Sequence, residues 1–336
     1  MTRKRAPRPS NLPIVAVPIA LPSALPGDNA ALIEQARAYA RAGKAANTRR
    51  AYATGWRLFE AWCGRVGLEA LPAAPEAVAL FLTELAGGGA KPSTIALRLA
   101  AIVARQRDAG HAFDARHKAV AEVMAGIRRT HGVAPDKKTP ILSADLRAML
   151  ETLPASLAGA RDRALMLIGF GAALRRSELA ALDAGDVSVT KQGLIVRVRR
   201  SKTDQEGSGH EIAIHRGRDP RLCAVAAHEA WIEASGIACG PLFRPVAGRG
   251  GGGVRPERLN DRTVALIVQR AVARAGLDPA GYGAHSLRAG LATSAALAGA
   301  DLAAIMRQTR HKSVDVARGY VRVADIWRDN VTARVL

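Results

Sequence analysis

The chain has 336 residues, 49% of them hydrophobic, which is enough apolar material to bury the cores of two domains. It carries 49 Lys and Arg against 29 Asp and Glu, a formal charge of +20. This excess matches the footprint of a nucleic-acid-binding protein, with a basic solubilising surface as the alternative. The three cysteines form no Cys-x-x-Cys pair, so a disulfide framework and a thiolate zinc site are not expected. No stretch reaches the roughly 18 apolar residues that span a bilayer, and we expect a cytoplasmic, nucleoid-associated protein.

The first 27 residues combine four basic side chains with six prolines. Such a composition resists a packed core and predicts a disordered basic arm. The arm either trails along DNA or is an unstructured leader without a role.

Residues 28–130 show helical periodicity throughout and are predicted to form an all-helical DNA-binding domain of five helices. Helical periodicity begins at Asp28, and the first helix carries an apolar stripe of Leu32, Ile33, Ala36 and Tyr39. The later helix starts are marked, in chain order, by the capping pair Asn47 and Thr48 and by Pro75, Ser93 and Ala115. Residues 131–140 break the periodicity and are rich in Lys, Gly and Pro, so they are predicted to be a basic interdomain linker.

Basic and polar residues collect at the starts of the second and fourth helices and in the linker. Cations in the first turn of a helix oppose its macrodipole, which suggests that an external phosphate occupies that position. Arginines on the fourth helix face no matching carboxylates, although a solvated surface helix would look similar. The expected DNA-binding residues are Thr48, Arg49, Arg50, Tyr52, Lys91, Ser93, Thr94, Arg98, Arg105, Lys137 and Lys138.

The segment 141–275 changes from helical to alternating periodicity and back. Helices are predicted from Ser143 to Leu150, over 161–171, after a turn capped by Ser177, over 224–234, and from Asn260 or Asp261 to 275. Between them lies an alternating segment in which arginines follow Val196 and Val198, and Leu194 keeps the same spacing. A second alternating pair, Ile212 and Ile214, follows the loop 201–209. This pattern predicts a β-hairpin that carries Lys202 at its tip. The glycine-rich run 248–253 lacks the Gly-Lys-Ser/Thr of a nucleotide-binding loop.

The stretch 282–320 gathers chemically active side chains. His285 and Arg288 stand three residues apart and project from one helix face. Asp301 opens the next helix, a loop presents His311, and Ser313 starts a short helix that ends at Tyr320. A phenol, two imidazoles and a guanidinium in one series suggest chemistry on a phosphate. Because no carboxylate or thiolate lies at ligand spacing, we expect no metal and no other cofactor.

Taken in order, these residues resemble the catalytic set of the tyrosine recombinase (phage integrase) family: Arg175, Lys202, His285, Arg288, His311 and Tyr320. The chain is particularly similar to Cre recombinase in Trp62-Cys63, in Ile305-Met306 and in the nine-residue step from His311 to Tyr320. The resemblance extends from about residue 28 to residue 336.

The resemblance implies a reaction at a DNA phosphodiester. Tyr320 is the expected nucleophile, forming a 3′-phosphotyrosine bond and releasing a 5′-hydroxyl. A phenol has a pKa near 10 and needs cations or a base to react at neutral pH, and His285 is expected to take or hold its proton. Lys202 is expected to protonate the leaving 5′-oxygen.

The resemblance also implies roles for the remaining residues. Arg175 and Arg288 are expected to grip the non-bridging phosphate oxygens, since a guanidinium donates two parallel bonds to a phosphate. His311 is expected to add a hydrogen bond to the phosphate, and Glu178 to orient Arg175 or a neighbouring group.

The family's architecture implies a two-domain, C-shaped clamp around duplex DNA, with a helical core-binding domain at 28–130 and a mainly helical catalytic domain with a small β-hairpin at 141–336. The expected activity is site-specific recombination by ordered strand exchange, with a homodimer on each site and a homotetramer in the synapse. The segment 324–336 is expected to dock on a neighbouring protomer through Val331 and Leu336, or to pack on its own domain. A type IB topoisomerase-like nicking and closing enzyme and a non-catalytic DNA-binding regulator are the alternatives.

Overall fold

The computed structural model describes residues 29–43, 45–134, 138–200, 209–247 and 253–325, together with the single residues Thr332 and Val335. The predicted basic arm, Lys137 and Lys202 lie outside the described residues, as does most of the segment 324–336. The chain divides between residues 135 and 136 into an N-terminal and a C-terminal unit. The expected fold class, mainly helical with a small sheet, is confirmed.

Helices account for all the regular structure in the described part of the N-terminal unit. They are α1 (Ala30–Ala42), α2 (Ala46–Val66), α3 (Pro75–Gly87), α4 (Pro92–Asp108) and α5 (Lys118–His131). Helix α3 begins at Pro75 as predicted, because proline lacks an N–H and fits the first helical position. The periodicity of α1 predicted an apolar stripe, and Leu32 and Tyr39 of that stripe are exposed.

Aromatic side chains from α2 and α3 form the centre of the N-terminal core. The ring centroids of Phe59 and Phe81 lie 5.2 Å apart in an edge-to-face arrangement, and Phe81 contacts Trp62 in turn. Helices α2 and α4 cross closely at Gly55, where a Cβ atom would lie 2.7 Å from the Cβ of Ala101. Gly55 is therefore required by the close approach of the two helices.

Four predicted capping positions were wrong by one to three residues. Helices α2 and α4 are preceded by Ala45 and Lys91, so Asn47, Thr48 and Ser93 lie inside the first turns. In the C-terminal unit the residues before helices are Leu142 and Arg175, and Ser143 and Ser177 are helical. A Ser or Asn near a helix start satisfies free N–H groups from several positions, so residue type alone does not fix the boundary.

The C-terminal unit combines eight described α-helices with three strands. The helices are α6 (Ser143–Glu151), α7 (Leu157–Gly171), α8 (Arg176–Ala181), α9 (Ala224–Ser235), α10 (Asp261–Arg274), α11 (Ala284–Leu297), α12 (Leu302–Thr309) and α13 (Val314–Asp325). The strands are β1 (Val187–Val189), β2 (Gly193–Val198) and β3 (His210–His215). Asn260 and Asp301 cap α10 and α12 as predicted, and α13 continues five residues beyond Tyr320.

The described strands form an antiparallel sheet in the order β1-β2-β3. The predicted hairpin is confirmed, and its register places Leu194 opposite Ile214 and Val196 opposite Ile212. Strand β1 was not predicted, because three residues are too few to show an alternating pattern. The sheet buries one face against the core that surrounds the apolar helix α7.

Helix α11 carries two of the predicted catalytic residues and is held close to the backbone at Ile141. The Ile141 N–H donates to the Ser286 carbonyl over 3.0 Å. A Cβ atom at Gly290 would lie only 1.9 Å from the Ile141 carbonyl oxygen, so no larger side chain fits there. Across the described residues, no helix combines the length and apolar character that crossing a bilayer requires.

Candidate active site

Tyr320 lies on α13 between two histidines. Its hydroxyl is 3.2 Å from Nε2 of His285 on α11. On its other side the phenol ring stacks on the His311 imidazole, with centroids 5.5 Å apart and planes inclined by 25°. The phenol is half-buried, while the neighbouring His285 side chain remains exposed. The nucleophile candidate is therefore fixed by a hydrogen bond and a ring contact and still borders solvent.

Arg288 is a buried cation whose charge acts on Tyr320 and on both histidines. Its side chain is 1% exposed, and Nη1 donates to the Ala173 carbonyl over 2.6 Å. Nη2 is buried without a hydrogen-bond partner among the described residues. Burial, with the Arg175 and Arg310 cations nearby, lowers the pKa of Arg288 to about 10, so the group remains charged at neutral pH. A buried charge with an unused donor is costly unless an anion joins it.

Glu178 holds Arg175 from the first turn of α8. Its Oε1 accepts from Arg175 Nη1 at 2.6 Å, and Oε2 accepts from the Arg175 backbone N–H at 2.9 Å. The carboxylate is almost fully enclosed, with 2% of its side chain exposed. Burial alone raises the pKa of Glu178, but the Arg310 and Arg175 cations and these hydrogen bonds outweigh it, so the pKa is lowered. Glu178 is therefore ionised and fixes the direction of Arg175.

A third arginine, Arg310, completes the cluster at the end of α12. Its Nη2 donates to Glu178 Oε2 over 3.0 Å and to the Ala173 carbonyl over 3.2 Å. Arg310 adopts the left-handed conformation with φ of 57°, which costs a non-glycine residue roughly 1–2 kcal/mol. We call Arg175, Glu178, Arg288 and Arg310 the arginine cluster.

The two histidines are electrically neutral in the free protein. Burial and the Arg288 and Arg175 cations lower the pKa of His311 to about 4. Its Nδ1 lies 2.7 Å from Oγ1 of the buried Thr309, which fixes the orientation of the ring. The pKa of His285 is also lowered, first because the surrounding protein partly desolvates the ring and then because the Arg288 and Arg175 cations repel its charged form. Neutral imidazoles can accept a proton, and this is the state that a general base requires.

Tyr320 itself keeps its proton in the free protein. Burial raises the pKa of its hydroxyl, and the Arg288 and Arg175 cations act in the opposite direction. At neutral pH the hydroxyl therefore has a proton that it can donate to His285 Nε2 when that nitrogen carries none. The cations that oppose the rise are those that stabilise a tyrosinate when the proton leaves.

The structure brings together most of the predicted catalytic residues. Tyr320 contacts His285 and His311, and Glu178 contacts Arg175. The pKa of Tyr320 also responds to Arg175 and Arg288. Lys202 belongs to a part of the hairpin loop outside the described residues.

Sequence reasoning missed the residues that support the cluster. Arg310 and Thr309 follow no pattern that distinguishes them from surface residues of a short helix. Gln308 was also missed, and its Nε2 donates to the carbonyls of Gly171 and Ala213, which ties α12 to α7 and β3. A run of polar residues just before His311 was the available signal. Among the described residues, no group of three or more His, Cys, Asp or Glu side chains is placed to hold a metal ion.

The residues expected to bind DNA in the N-terminal unit fall into two classes. Thr48, Arg49, Arg50 and Tyr52 lie on the first two turns of α2, and both arginines are exposed. Lys91, Ser93 and Thr94 are exposed at the start of α4.

The other expected DNA-binding arginines of this unit pack against α2. Arg98 is half-buried and donates from Nη1 to the Ala51 carbonyl over 3.3 Å. The Arg105 guanidinium lies 5.6 Å from the ring centroid of Trp56, a cation–π distance. Lys138, in the C-terminal unit, is exposed and donates from Nζ to the Ala280 carbonyl over 2.7 Å.

Comparison with known proteins gives a consistent family signal. Residues 141–326 match the family described as the Phage integrase family. An integrase/recombinase xerD homolog of Selenomonas ruminantium is 40% identical over 298 residues, covering 87% of this chain and 86% of the relative. A tyrosine recombinase XerD of Xanthomonas axonopodis pv. citri is 32% identical over 50% of this chain and 52% of its own. The expected similarity to Cre recombinase is thus a coarse fit within the family.

Solved structures share the fold at low identity. A λ integrase dimer bound to a COC′ core site matches with a TM-score of 0.58 and 17% identity, covering 90% of this chain and 97% of that one. A XerH site-specific recombinase in a post-cleavage complex with palindromic difH substrate matches with a TM-score of 0.55 and 18% identity, covering 76% and 73%. At these identities the likeness concerns the fold.

Proposed function

The chain belongs to the phage integrase family and is a site-specific tyrosine recombinase, and we propose that Tyr320 is the nucleophile with which it breaks and rejoins DNA. The observation that supports this proposal most strongly is the 3.2 Å contact between the Tyr320 hydroxyl and Nε2 of His285, at a position where the buried Arg288 acts on the phenol. A phenol that faces a neutral imidazole has both an acceptor for its proton and cations for its developing charge.

The proposed cleavage step exchanges one phosphodiester for another. The Tyr320 oxygen attacks the scissile phosphorus, the bond from phosphorus to the 5′-oxygen breaks, and a 3′-phosphotyrosine bond forms. The phenol proton passes to His285 Nε2, and Lys202 supplies a proton to the leaving 5′-oxygen. Because a diester replaces a diester, the step needs no nucleotide cofactor, and attack by a 5′-hydroxyl reverses it.

The arginines supply the charge that the transition state needs. Arg288 has an unused donor, Nη2, and Arg175 is oriented by Glu178, so both are available to the non-bridging oxygens of a phosphate. The Thr309 hydroxyl donates to the Ile305 carbonyl over 2.7 Å, so His311 Nδ1 donates to Thr309 Oγ1. His311 therefore offers the phosphate a further donor at Nε2 once its ring is protonated. Fixed donors in a partly closed site stabilise developing charge without reorganising, and in many enzymes this stabilisation contributes most of the rate enhancement.

The proposed partner is double-stranded DNA that carries a specific recombination site. The λ integrase and XerH structures that share this fold hold DNA, and the net charge of +20 suits the same partner. We propose a homodimer on each site and a homotetramer in the synapse. The N-terminal unit is proposed to bind the site through the exposed starts of α2 and α4.

Capture of covalent complexes from a pool of DNA sequences tests the proposal and identifies the target in the same experiment. The full-length protein is incubated with random-sequence duplexes that carry 5′-bridging phosphorothiolates, whose cleavage releases a thiol that rejoins poorly. We expect a denaturant-resistant protein–DNA complex, enrichment of one sequence family, and strand exchange between two plasmids that carry that sequence. Tyr320→Phe abolishes the complex, and the matched control Tyr282→Phe retains it.

Three results would contradict the proposal. A wild-type protein that captures nothing although it binds DNA would indicate a regulator. Capture without sequence enrichment, together with relaxation of any supercoiled plasmid, would indicate a topoisomerase-like enzyme. Complex formation by Tyr320→Phe would place the nucleophile elsewhere.

A further inference from the structure

Two residues share an unusual backbone conformation beside the proposed site. Among the described residues other than glycine, Ala173 and Arg310 are the ones with positive φ, at 46° and 57°. The two residues are in contact, because Arg310 Nη2 donates to the Ala173 carbonyl. Strained residues persist where the surrounding structure over-determines them, and such positions cluster at functional sites.

The contacts of Arg310 concern charge as well as shape. One Glu178 oxygen accepts from Arg175 Nη1, and the other accepts from Arg310 Nη2. Among the described side chains, the arginine cluster thus holds three guanidinium groups against one carboxylate. Without Arg310, the buried Glu178 charge would be balanced by Arg175 alone, and a closely paired arginine offers a phosphate a weaker field.

The position of Arg310 shows that its guanidinium, and not its backbone, is what the site uses. A glycine would adopt a φ of 57° without strain, whereas arginine adopts it at a cost. Its side chain is 9% exposed, and its Nε and Nη1 atoms are buried without hydrogen-bond partners in the described chain. Nothing in the local backbone requires a long cationic side chain here, so its evident uses are the contacts with Glu178 and the Ala173 carbonyl, and only Glu178 is charged.

We infer that Arg310 is a positioning residue of the recombination reaction, one that shares the charge of Glu178 and thereby leaves Arg175 available to the scissile phosphate. This inference rests on the proposed function. Arg310 also adds to the positive field at Arg288 and His311, because its cation contributes to lowering the pKa of both.

The test is a double-mutant cycle between Arg310 and Glu178 in the full-length protein. The substrate is a phosphorothiolate duplex with the sequence enriched in the capture experiment. Its single-turnover cleavage is measured for wild type, Arg310→Met, Glu178→Gln and the double variant. We expect Arg310→Met to slow cleavage by about 10²-fold. In the Glu178→Gln background, the same substitution costs at least about tenfold less, because the charge that Arg310 shares is gone.

Companion variants separate this role from support of the fold. Arg310→Lys restores most of the rate, since it keeps the charge. Arg310→Gly relieves the backbone and is expected to be as slow as Arg310→Met without a lower Tm. Arg307→Met removes an exposed arginine three residues away and is expected to cleave at the wild-type rate.

Two results would contradict the role inferred for Arg310. An equal cost of Arg310→Met in both Glu178 backgrounds would mean that Arg310 acts directly on the phosphate. Wild-type cleavage by Arg310→Gly would mean that Arg310 has no part in the reaction.

A second readout does not depend on chemistry. In the Tyr320→Phe background, Arg310→Met is expected to weaken binding of a mixed-sequence duplex by about fivefold, and this loss disappears with Glu178→Gln. If wild type forms no covalent complex, the proposed function fails while this binding cycle still reports on Arg310, and an unchanged affinity there overturns the inference.

Discussion

Arginines in the two units of this protein stand in opposite environments. In the C-terminal unit, Arg288 and Arg310 are enclosed and both donate to the Ala173 carbonyl. Arg310 also donates to the buried Glu178 carboxylate, and both arginines keep donors without a partner among the described residues. In the N-terminal unit, Arg49 and Arg50 are exposed at the start of α2, while Arg98 lies half-buried against the same helix. The arginines of the C-terminal unit share one carbonyl acceptor, whereas those of the N-terminal unit are distributed along α2 and α4.

The difference separates two uses of positive charge. A fixed, poorly solvated guanidinium exerts a strong local field, which suits the charge that develops at one phosphate during reaction. Exposed cations interact weakly at any one point, but together they neutralise many phosphates along a duplex. We therefore expect substitutions in the C-terminal set to change the rate of the chemical step, and substitutions in the N-terminal set to change DNA affinity.

The largest effect is expected when Arg288 is removed. Arg288→Met fills the space with an apolar side chain and is expected to slow single-turnover cleavage by about 10³-fold, because the developing phosphate charge loses a fixed donor. Arg98→Met, measured at saturating DNA, is expected to retain the wild-type rate. Equal losses in the two variants would remove the distinction between the two sets.

The next effect concerns the helix that carries His285 and Arg288. Gly290→Ala places a Cβ atom 1.9 Å from the Ile141 carbonyl oxygen, and we expect it to destabilise the protein by about 3 kcal/mol in urea unfolding. The control is Gly64→Ala on α2, where a Cβ atom meets nothing within 4 Å and helix propensity favours alanine by about 1 kcal/mol. A stable Gly290→Ala protein would show that α11 is not fixed by this contact.

The pH dependence of cleavage tests the proposed base. The pKa of His285 lies below its usual 6.5, so the ring is neutral and able to accept a proton at neutral pH. As pH falls through this lowered pKa, the ring gains a proton and the rate is expected to fall by about tenfold per pH unit. Cleavage that stays constant well below that pKa would exclude His285 as the acceptor.

The smallest expected effect belongs to Arg98. Arg98→Ala removes a hydrogen bond to the Ala51 carbonyl, and we expect a loss of about 1 kcal/mol in the stability of the N-terminal unit. DNA affinity is expected to fall uniformly across sequences, as for a backbone contact. Binding to single-base variants of the captured site is the measurement, and relaxed preference at one position would instead make Arg98 a base reader.

Periodic sequence patterns predicted most helices and the hairpin, but they did not predict contacts between residues that are distant along the chain. The hairpin was predicted correctly, because alternation specifies which residues share a face, and the structure supplies its register. The order of Arg175, His285, Arg288, His311 and Tyr320 pointed to one family, which the comparisons confirm. That order does not encode how the side chains meet in space.

The contribution of Arg310 depends on the fold. Its partner Glu178 lies 132 residues away along the chain, and its left-handed backbone is not evident from the residue type. Likewise, the burial of Arg98 follows from the close crossing of α2 and α4 at Gly55. Charge counting along a helix could not distinguish this packed arginine from the exposed ones.

The identity of the nucleophile can be read directly from the captured covalent complex. The complex is digested with trypsin and nuclease, and the nucleotide-bearing peptide is identified by mass spectrometry. We expect the added nucleotide phosphate on the tyrosine of the peptide 319–322, which is Gly-Tyr-Val-Arg. A nucleotide attached to any other peptide, including the one that contains Tyr282, would contradict the assignment of Tyr320.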